Sequence, residues 1–431
     1  MDRSSAPPIN RVENLGTIDT SVSDCLGEIP VFALPAENEA LTVIEIVFPA
    51  GTSKENKPLQ ATACSAMLTE GTDKFTSERI SEIQDYYGAK IQADIGKDHS
   101  SVSLTCLSEH LDLLIPLLGS IAINPSFPEK EFIRYKQRAR AALEVNLKKV
   151  EIECRLLFSR SFFGSSKYSE RFRPEDYDNL ERVDLETFFL ENFKISQAQV
   201  FVAGGAIDRT LSELKKVIKS PVAKIEKYSK IVLNPLRGLA TIEREEALQS
   251  GIRMGIESLS PTHPDYVPLY MASTILGGYF SSRLMQNIRE DKGFTYGIGS
   301  TINNLASLSY ISISTQVGFE HTEATLYEIK KEIELLRNAI VSKDELDLVK
   351  NYVAGILLKN MDGPYRKISL LKQMIQFELN DDYHQLFLKS VYETTSEDIL
   401  RAAQSYLNPD NFTTAIVGRG FGNIDSDYSS K

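Results

Sequence analysis

Apolar and polar positions change period repeatedly along the first half of the chain. Residues 41–47 read as a strand, 58–68 carry helical apolar spacing, and 77–87 form a second helical stretch stopped by Gly88. Alternation follows over 90–95 and 101–106, then an apolar helix over 109–121 and a long helix that Pro128 opens and that runs past Leu143. After a less regular section, 185–193 reads as helix, 199–203 as strand and 209–218 as helix. Ahead of these elements, residues 1–40 predict an extended N-terminal arm with Pro7-Pro8, scattered polar residues and one short apolar piece at 29–33.

The same order returns from about residue 251. Residues 252–256 stand for the first strand, 268–276 for the first helix and 281–289 for the second, with Gly293 where Gly88 was, an offset of 293 − 88 = 205. Residues 307–315 repeat the strand that ends at Cys106, and 322–336 the apolar helix. The long helix around Phe132 and Lys136 is matched around Leu346 and Lys350, at 346 − 132 = 214. A helix over 397–406 and a strand over 413–417 close the second copy. Offsets that drift only by loop-sized amounts predict an α+β chain made of two homologous domains, each a mainly antiparallel sheet packed with helices. The expected boundaries are an arm over 1–40, a first domain over 41–220, a linker over 221–243, a second domain over 244–420 and a tail over 421–431.

Charge and composition narrow the function. Lysines and arginines number 48 against 59 acids, so the net charge is −11 and the surface repels phosphate backbones and anionic membranes; no nucleic-acid partner and no membrane insertion are expected. The first ten residues show no secretory signal and no apolar run reaches membrane length, which favours a bacterial cytoplasmic setting and leaves a periplasmic one open. Cys25, Cys64, Cys106 and Cys154 lack a Cys-x-x-Cys spacing and read as reduced thiols. His99, His110, His263, His321 and His384 are scattered, with no two a helical turn apart, so no zinc-binding helix is visible. The glycines of 418–422 follow the last strand without a helix to point amides at an anion, and read as tail.

One stretch carries candidate chemistry, residues 281–300. Ser281 or Ser282 can cap a short helix, Leu284, Met285 and Ile288 line one face, and Gly293 stops it before a strand. Gly277-Gly278 just upstream predicts a tight backbone turn. Arg289 in the last helical turn and Tyr296 at the strand entry are both donors and can reach one point, where they could hold a peptide carbonyl and stabilise its oxyanion. The alternative is that Arg289 only complements the helix dipole and Tyr296 is an ordinary strand aromatic. Counting back 205 positions puts Gln84 opposite Arg289 and Ile91 opposite Tyr296, so the first copy builds the same turn without either donor. The fold does not require them.

The run from Ser282 through Arg289, with Gly293 and Tyr296, resembles the second-domain motif of the pitrilysin/insulinase family of zinc peptidases, the inverzincins. The resemblance spans about residues 40–418. It implies a duplicated α+β fold and roles for Arg289 and Tyr296 in gripping substrate beside the scissile bond and stabilising the transition state. The family's first domain carries a His-x-x-Glu-His helix, whose histidines bind zinc and whose glutamate activates water. Aligned on residues 67–72, those three positions here are Thr62, Ser65 and Ala66. The third ligand falls near Glu144 or Val145, and one carboxylate does not hold a catalytic zinc.

The chain is therefore similar to the non-catalytic type of subunit, such as the alpha-type subunit of mitochondrial processing peptidase and its bacterial heterodimeric homologues. The resemblance implies a chain that is not active alone and binds no metal or cofactor. Its partner would be a zinc-bearing subunit of the same family and its ligand a peptide, with a homodimer possible when the partner is missing. A peptidase-derived scaffold or peptide-binding protein with no proteolytic role is the alternative.

Overall fold

The computed structural model describes residues 11–36, 39–219, 233, 235 and 237–420. The first repeat opens with β1 (Asp24–Leu26), β2 (Ile29–Pro35) and β3 (Leu41–Phe48), passes through α1 (Gln60–Met67) and α2 (Ser77–Tyr87), and returns to β4 (Lys90–Ile95) and β5 (Ser100–Leu107). Helices α3 (Leu111–Ile123), α4 (Glu129–Asn146), α5 (Val150–Phe163), α6 (Pro174–Asp178) and α7 (Arg182–Asn192) precede β6 (Gln199–Gly204) and α8 (Ile207–Val217). The second repeat runs β7 (Gly238–Glu243), β8 (Gln249–Ser258), α9 (Tyr266–Gly277), β9 (Thr295–Asn304) and β10 (Ser309–Gly318). It ends with α10 (Thr322–Asn338), α11 (Lys343–Asn360), α12 (Pro364–Gln376), α13 (Tyr383–Glu393), α14 (Ser396–Tyr406) and β11 (Thr413–Gly418).

Strand order makes the duplication explicit. The first sheet is β1-β2-β6-β3-β5-β4 and the second β7-β11-β8-β10-β9, so β2, β6, β3, β5 and β4 correspond in turn to β7, β11, β8, β10 and β9. In each repeat the pairing next to the first long strand is parallel (β2 with β6, β7 with β11) and the others are antiparallel. The expected arm over 1–40 is shorter than its polar composition suggested. Ile29, Val31, Phe32 and Leu34 are buried, and β1 and β2 belong to the first sheet. Residues 238–243 of the expected linker are likewise a sheet strand, while 220–232 and the tail over 421–431 lie outside the described residues.

One face of each sheet is covered by its own repeat. Ile44, Ile46, Val102 and Leu104 meet α1, α3 and α7 in the first, and Ile252, Met254, Ile311 and Ile313 meet α9, α10 and α14 in the second. The opposite faces are covered by exchange. From α5, in the first repeat, Cys154, Phe158, Phe162 and Phe163 pack on Ala415 and Val417 of the second sheet. From α12, in the second repeat, Ile368, Leu371 and Met374 pack with Phe32, Val47 and Phe201 of the first. Glycines on β8 permit the approach of α5: a Cβ on Gly255 would sit 2.4 Å from the Phe158 ring, and one on Gly251 2.9 Å from the Val150 carbonyl oxygen.

Polar contacts lock the exchange. Lys372 of α12 pairs with Glu45 of β3 at 2.7 Å, and Arg244 with Glu153 of α5 at 2.6 Å. Asp98, in the β4–β5 turn, accepts from the Tyr168 hydroxyl at 2.5 Å and from the Ala306 amide of the second repeat at 2.8 Å. Phe162→Ala should lower stability by about 3–5 kcal/mol through lost burial and the cavity left behind. Gly255→Ala should cost about 1–3 kcal/mol by forcing α5 off the sheet. Urea unfolding midpoints of the two variants against wild type measure both effects.

Candidate functional site

The segment between α9 and β9 builds the site. α9 ends against β9 so closely that a Cβ on Gly277 would lie 2.6 Å from the Ser300 nitrogen, and one on Gly278 2.6 Å from the Thr274 Cα. Close approach, not an unusual dihedral, explains the glycine pair: Gly278 has φ −86°. The chain then turns and winds into a helix whose stretch Met285–Asp291 is π-helical. Leu284, Met285 and Ile288 are buried as expected from their spacing. The expected serine cap is absent: the Ser282 side chain is buried without a hydrogen-bond partner, and Leu284 holds the cap position of the π-helical stretch without a side-chain bond. Side chains fix the segment instead. Arg283 makes two 2.8 Å bonds to Glu345, and the Asn287 amide donates to Glu328 and Glu332 at 2.9 and 2.6 Å.

Gly293, at φ +66°, ends the helix, and Phe294 stacks on His321 with centroids 4.3 Å apart. This turn delivers Tyr296 to the first residues of β9, the outermost strand of the second sheet. Tyr296 is 92% exposed and Phe280 61% exposed. The Arg289 guanidinium carbon lies 4.7 Å from the Phe280 ring centroid and 5.5 Å from that of Tyr296. The two predicted donors do come together, and Phe280, absent from the sequence reading, is a third member of the cluster. Cation–π contact with two rings restrains a long flexible side chain at a sheet edge. In the first repeat, the Gln84 carboxamide accepts from the Ile91 amide at 2.7 Å, so the equivalent turn is closed by a local hydrogen bond.

The residues at the other predicted site lie on α1. Ser65 is 2% exposed, Thr62 half-buried and Ala66 exposed. Glu144 on α4 pairs with Arg140 at 2.9 Å, and Val145 is exposed. A hydroxyl pair, a methyl group and one ion-paired carboxylate do not fit a zinc ion, which takes three or four thiolate, imidazole or carboxylate ligands. Among the described residues no group of three or more His, Cys, Asp and Glu could hold a metal.

Two family profiles match the chain: "Insulinase (Peptidase family M16)" over residues 31–165 and "Peptidase M16 inactive domain" over 179–353. The chain belongs to the insulinase (M16) peptidase family. Among relatives, a Bacillus subtilis protein called an uncharacterized zinc protease, YmxG, is 21% identical over 70% of this chain and 74% of its own length. A Helicobacter pylori protein called a non-peptidase homolog, YmxG, is 21% identical over 88% of this chain and 90% of its own. The crystal structure of a peptidase M16 inactive domain from Pseudomonas fluorescens superposes with a TM-score of 0.81 at 23% identity, over 91% of this chain and 96% of that one. The α+β fold of two M16-like domains is thereby shown. No helix among the described residues is long and apolar enough to cross a membrane. All four cysteines are free, with Cys64, Cys106 and Cys154 buried and Cys25 exposed.

Helix α1 is held at its N-terminus by Glu55, which accepts from the Ala61 amide at 3.3 Å. Burial pushes the Glu55 carboxyl up to about 7, against the lowering effect of the Ala61 and Leu59 amides and of Lys97, while Glu170 adds to the rise. The folded state thus holds this proton more tightly than the unfolded chain. Its contribution to stability is complete below the ordinary value of 4.5 and is lost as pH rises through about 7. Glu55→Gln should therefore be more stable than wild type at about pH 8, the difference closing toward about pH 5; thermal unfolding midpoints across that range measure it. Metal analysis of the purified wild-type chain should return zinc far below one equivalent.

Proposed function

We propose that this M16 chain is the non-catalytic subunit of a heterodimeric zinc metallopeptidase, one that binds peptide and stabilises the transition state in trans. The observation that carries the reading is the Arg289 guanidinium held between Phe280 and Tyr296 at an open sheet edge, in a chain whose own zinc-helix positions are Thr62, Ser65 and Ala66. The name of the Helicobacter relative and the inactive-domain profile favour the same direction. A peptide adding along β9 would satisfy its backbone against the strand's unpaired groups, a mode tolerant of side-chain sequence. Arg289 and Tyr296 would then donate to the carbonyl under attack, with the zinc supplied by the partner subunit's helix.

A bare scaffold has no use for an exposed tyrosine beside a restrained arginine. The test is peptidase activity after mixing with a zinc-helix M16 subunit from the same genome. Arg289→Ala and Tyr296→Phe should each lower kcat by about 10²-fold, with a smaller change in KM, as for loss of one donor to a developing oxyanion. Full activity in both variants, or no activity of the wild-type mixture with any such subunit, overturns the assignment.

A further inference from the structure

A cavity of about 640 Å³ opens beside Tyr296, between the start of β9, the end of β10 and the first turn of α5. Its volume is that of a site for one or a few side chains of a ligand. The exchange of helices creates it. α5 packs on β11 and β8, and the face of β10 and β9 beyond it is floored by small side chains, including Gly297, Ser314 and Thr295. Strand alternation puts Ile252 and Met254 of β8 into the core and turns Arg253 to the α5 side.

Among the residues lining the cavity two carry charge, Glu151 and Arg253. Glu151 is engaged, accepting from the Gln316 carboxamide at 2.7 Å. Gln316 lies at an irregularity in the β9–β10 pairing, between Thr315 and Val317, which re-aims its side chain. Arg253 is half-buried and, among the described residues, its guanidinium has no carboxylate and no hydrogen-bond acceptor; it lies 6.0 Å from the Phe158 ring centroid. A guanidinium carries five N–H donors, and those of Arg253 are not among the buried unpartnered atoms, so they face solvent and are open to a ligand. A carboxylate matches that fork with two parallel charge-assisted bonds. The net charge of −11 disfavours anions at long range, so preference for one here comes from contact and not from steering.

We infer that this cavity is an acid-binding subsite, in which Arg253 takes the carboxylate of a Glu or Asp side chain of the peptide held at Arg289 and Tyr296. The inference deepens the function proposed above and rests on it. It names an acidic peptide as the ligand class and places the acidic residue within reach of the β9 entry.

The experiment is fluorescence anisotropy on the full-length protein, with labelled, C-terminally amidated peptides of equal length in which Glu or Gln is scanned through each position. At one position the Glu peptide should bind about tenfold tighter than its Gln twin, a difference of about 1.4 kcal/mol. Arg253→Met should erase that ratio and Arg253→Lys should keep part of it, with circular dichroism and melting checking that each variant is folded. Equal binding of every Glu and Gln pair, or a ratio that survives Arg253→Met, overturns the subsite and leaves the proposed function standing. A neutral peptide with a free C-terminus that gains as much as the Glu peptide reassigns the cavity to chain ends and overturns the side-chain claim. No binding of any peptide removes both readings together.

Discussion

The structure depends on an exchange: each repeat lends one helix to cover the far face of the other's sheet. A sheet with one face on its own helices and the other on water would leave Phe32, Val47 and Phe201 in the first repeat, and Ala415 and Val417 in the second, exposed. α12 and α5 remove those surfaces from solvent. The aromatic residues of α5 alone, Phe158, Phe162 and Phe163, each contribute about 1.5–3 kcal/mol by burial. Because the lenders are equivalent elements of the two repeats, the arrangement approximates a two-fold relation within one chain. Each sheet therefore depends on a helix of the other repeat to cover its second face.

Packing and candidate chemistry are arranged differently in the two repeats. On α1 the inward positions Ala63, Cys64 and Met67 are fully buried and hold the helix against the sheet, whereas Ala66 faces out. Thr62 and Ala66 lie outside that buried face, whereas Ser65, 2% exposed, lies within it. The small side chains of Thr62, Ser65 and Ala66 sit beside that packing without interrupting it. In the second repeat the balance is reversed. Tyr296, almost wholly exposed, contributes little to any core, and Arg289 is held by two aromatic rings and the nearby Glu290 carboxylate at 3.4 Å.

Much of this was readable from periodicity. The strands with one buried face, such as Ser100–Leu107 with its strict alternation, and the helices α2, α4 and α10 with distinct apolar stripes followed from spacing alone. The exchanged helices did not. In α5, Cys154, Leu156, Phe158, Ser159, Ser161, Phe162 and Phe163 are all buried, so the helix is enclosed on several sides and presents no single apolar stripe. β1 and β2 were hidden by length and by Pro30 and Pro35. The π-winding of residues 285–291 was not visible in the spacing, and the segment is flanked by the long-range contacts Arg283–Glu345 and Asn287–Glu328. Arg289 and Tyr296 were legible because the duplicated copy supplies a comparison that lacks them. Phe280 and Arg253 were not, because neither a lone aromatic after two glycines nor a lone cation in a strand reveals its neighbours.

The outermost strand of the second sheet carries a further implication. β9 reads Thr-Tyr-Gly-Ile-Gly-Ser-Thr-Ile-Asn-Asn, without one charged residue or proline, whereas its counterpart β4 places Lys90 and Asp94 at its rim. Exposed borders normally carry such gatekeepers because an uncommitted ladder templates unwanted association. Under the function proposed above, a border that takes up peptide strands has to forgo them. The molecule accordingly carries a standing hazard of self-adhesion on this side, with no charge or proline in β9 to check it.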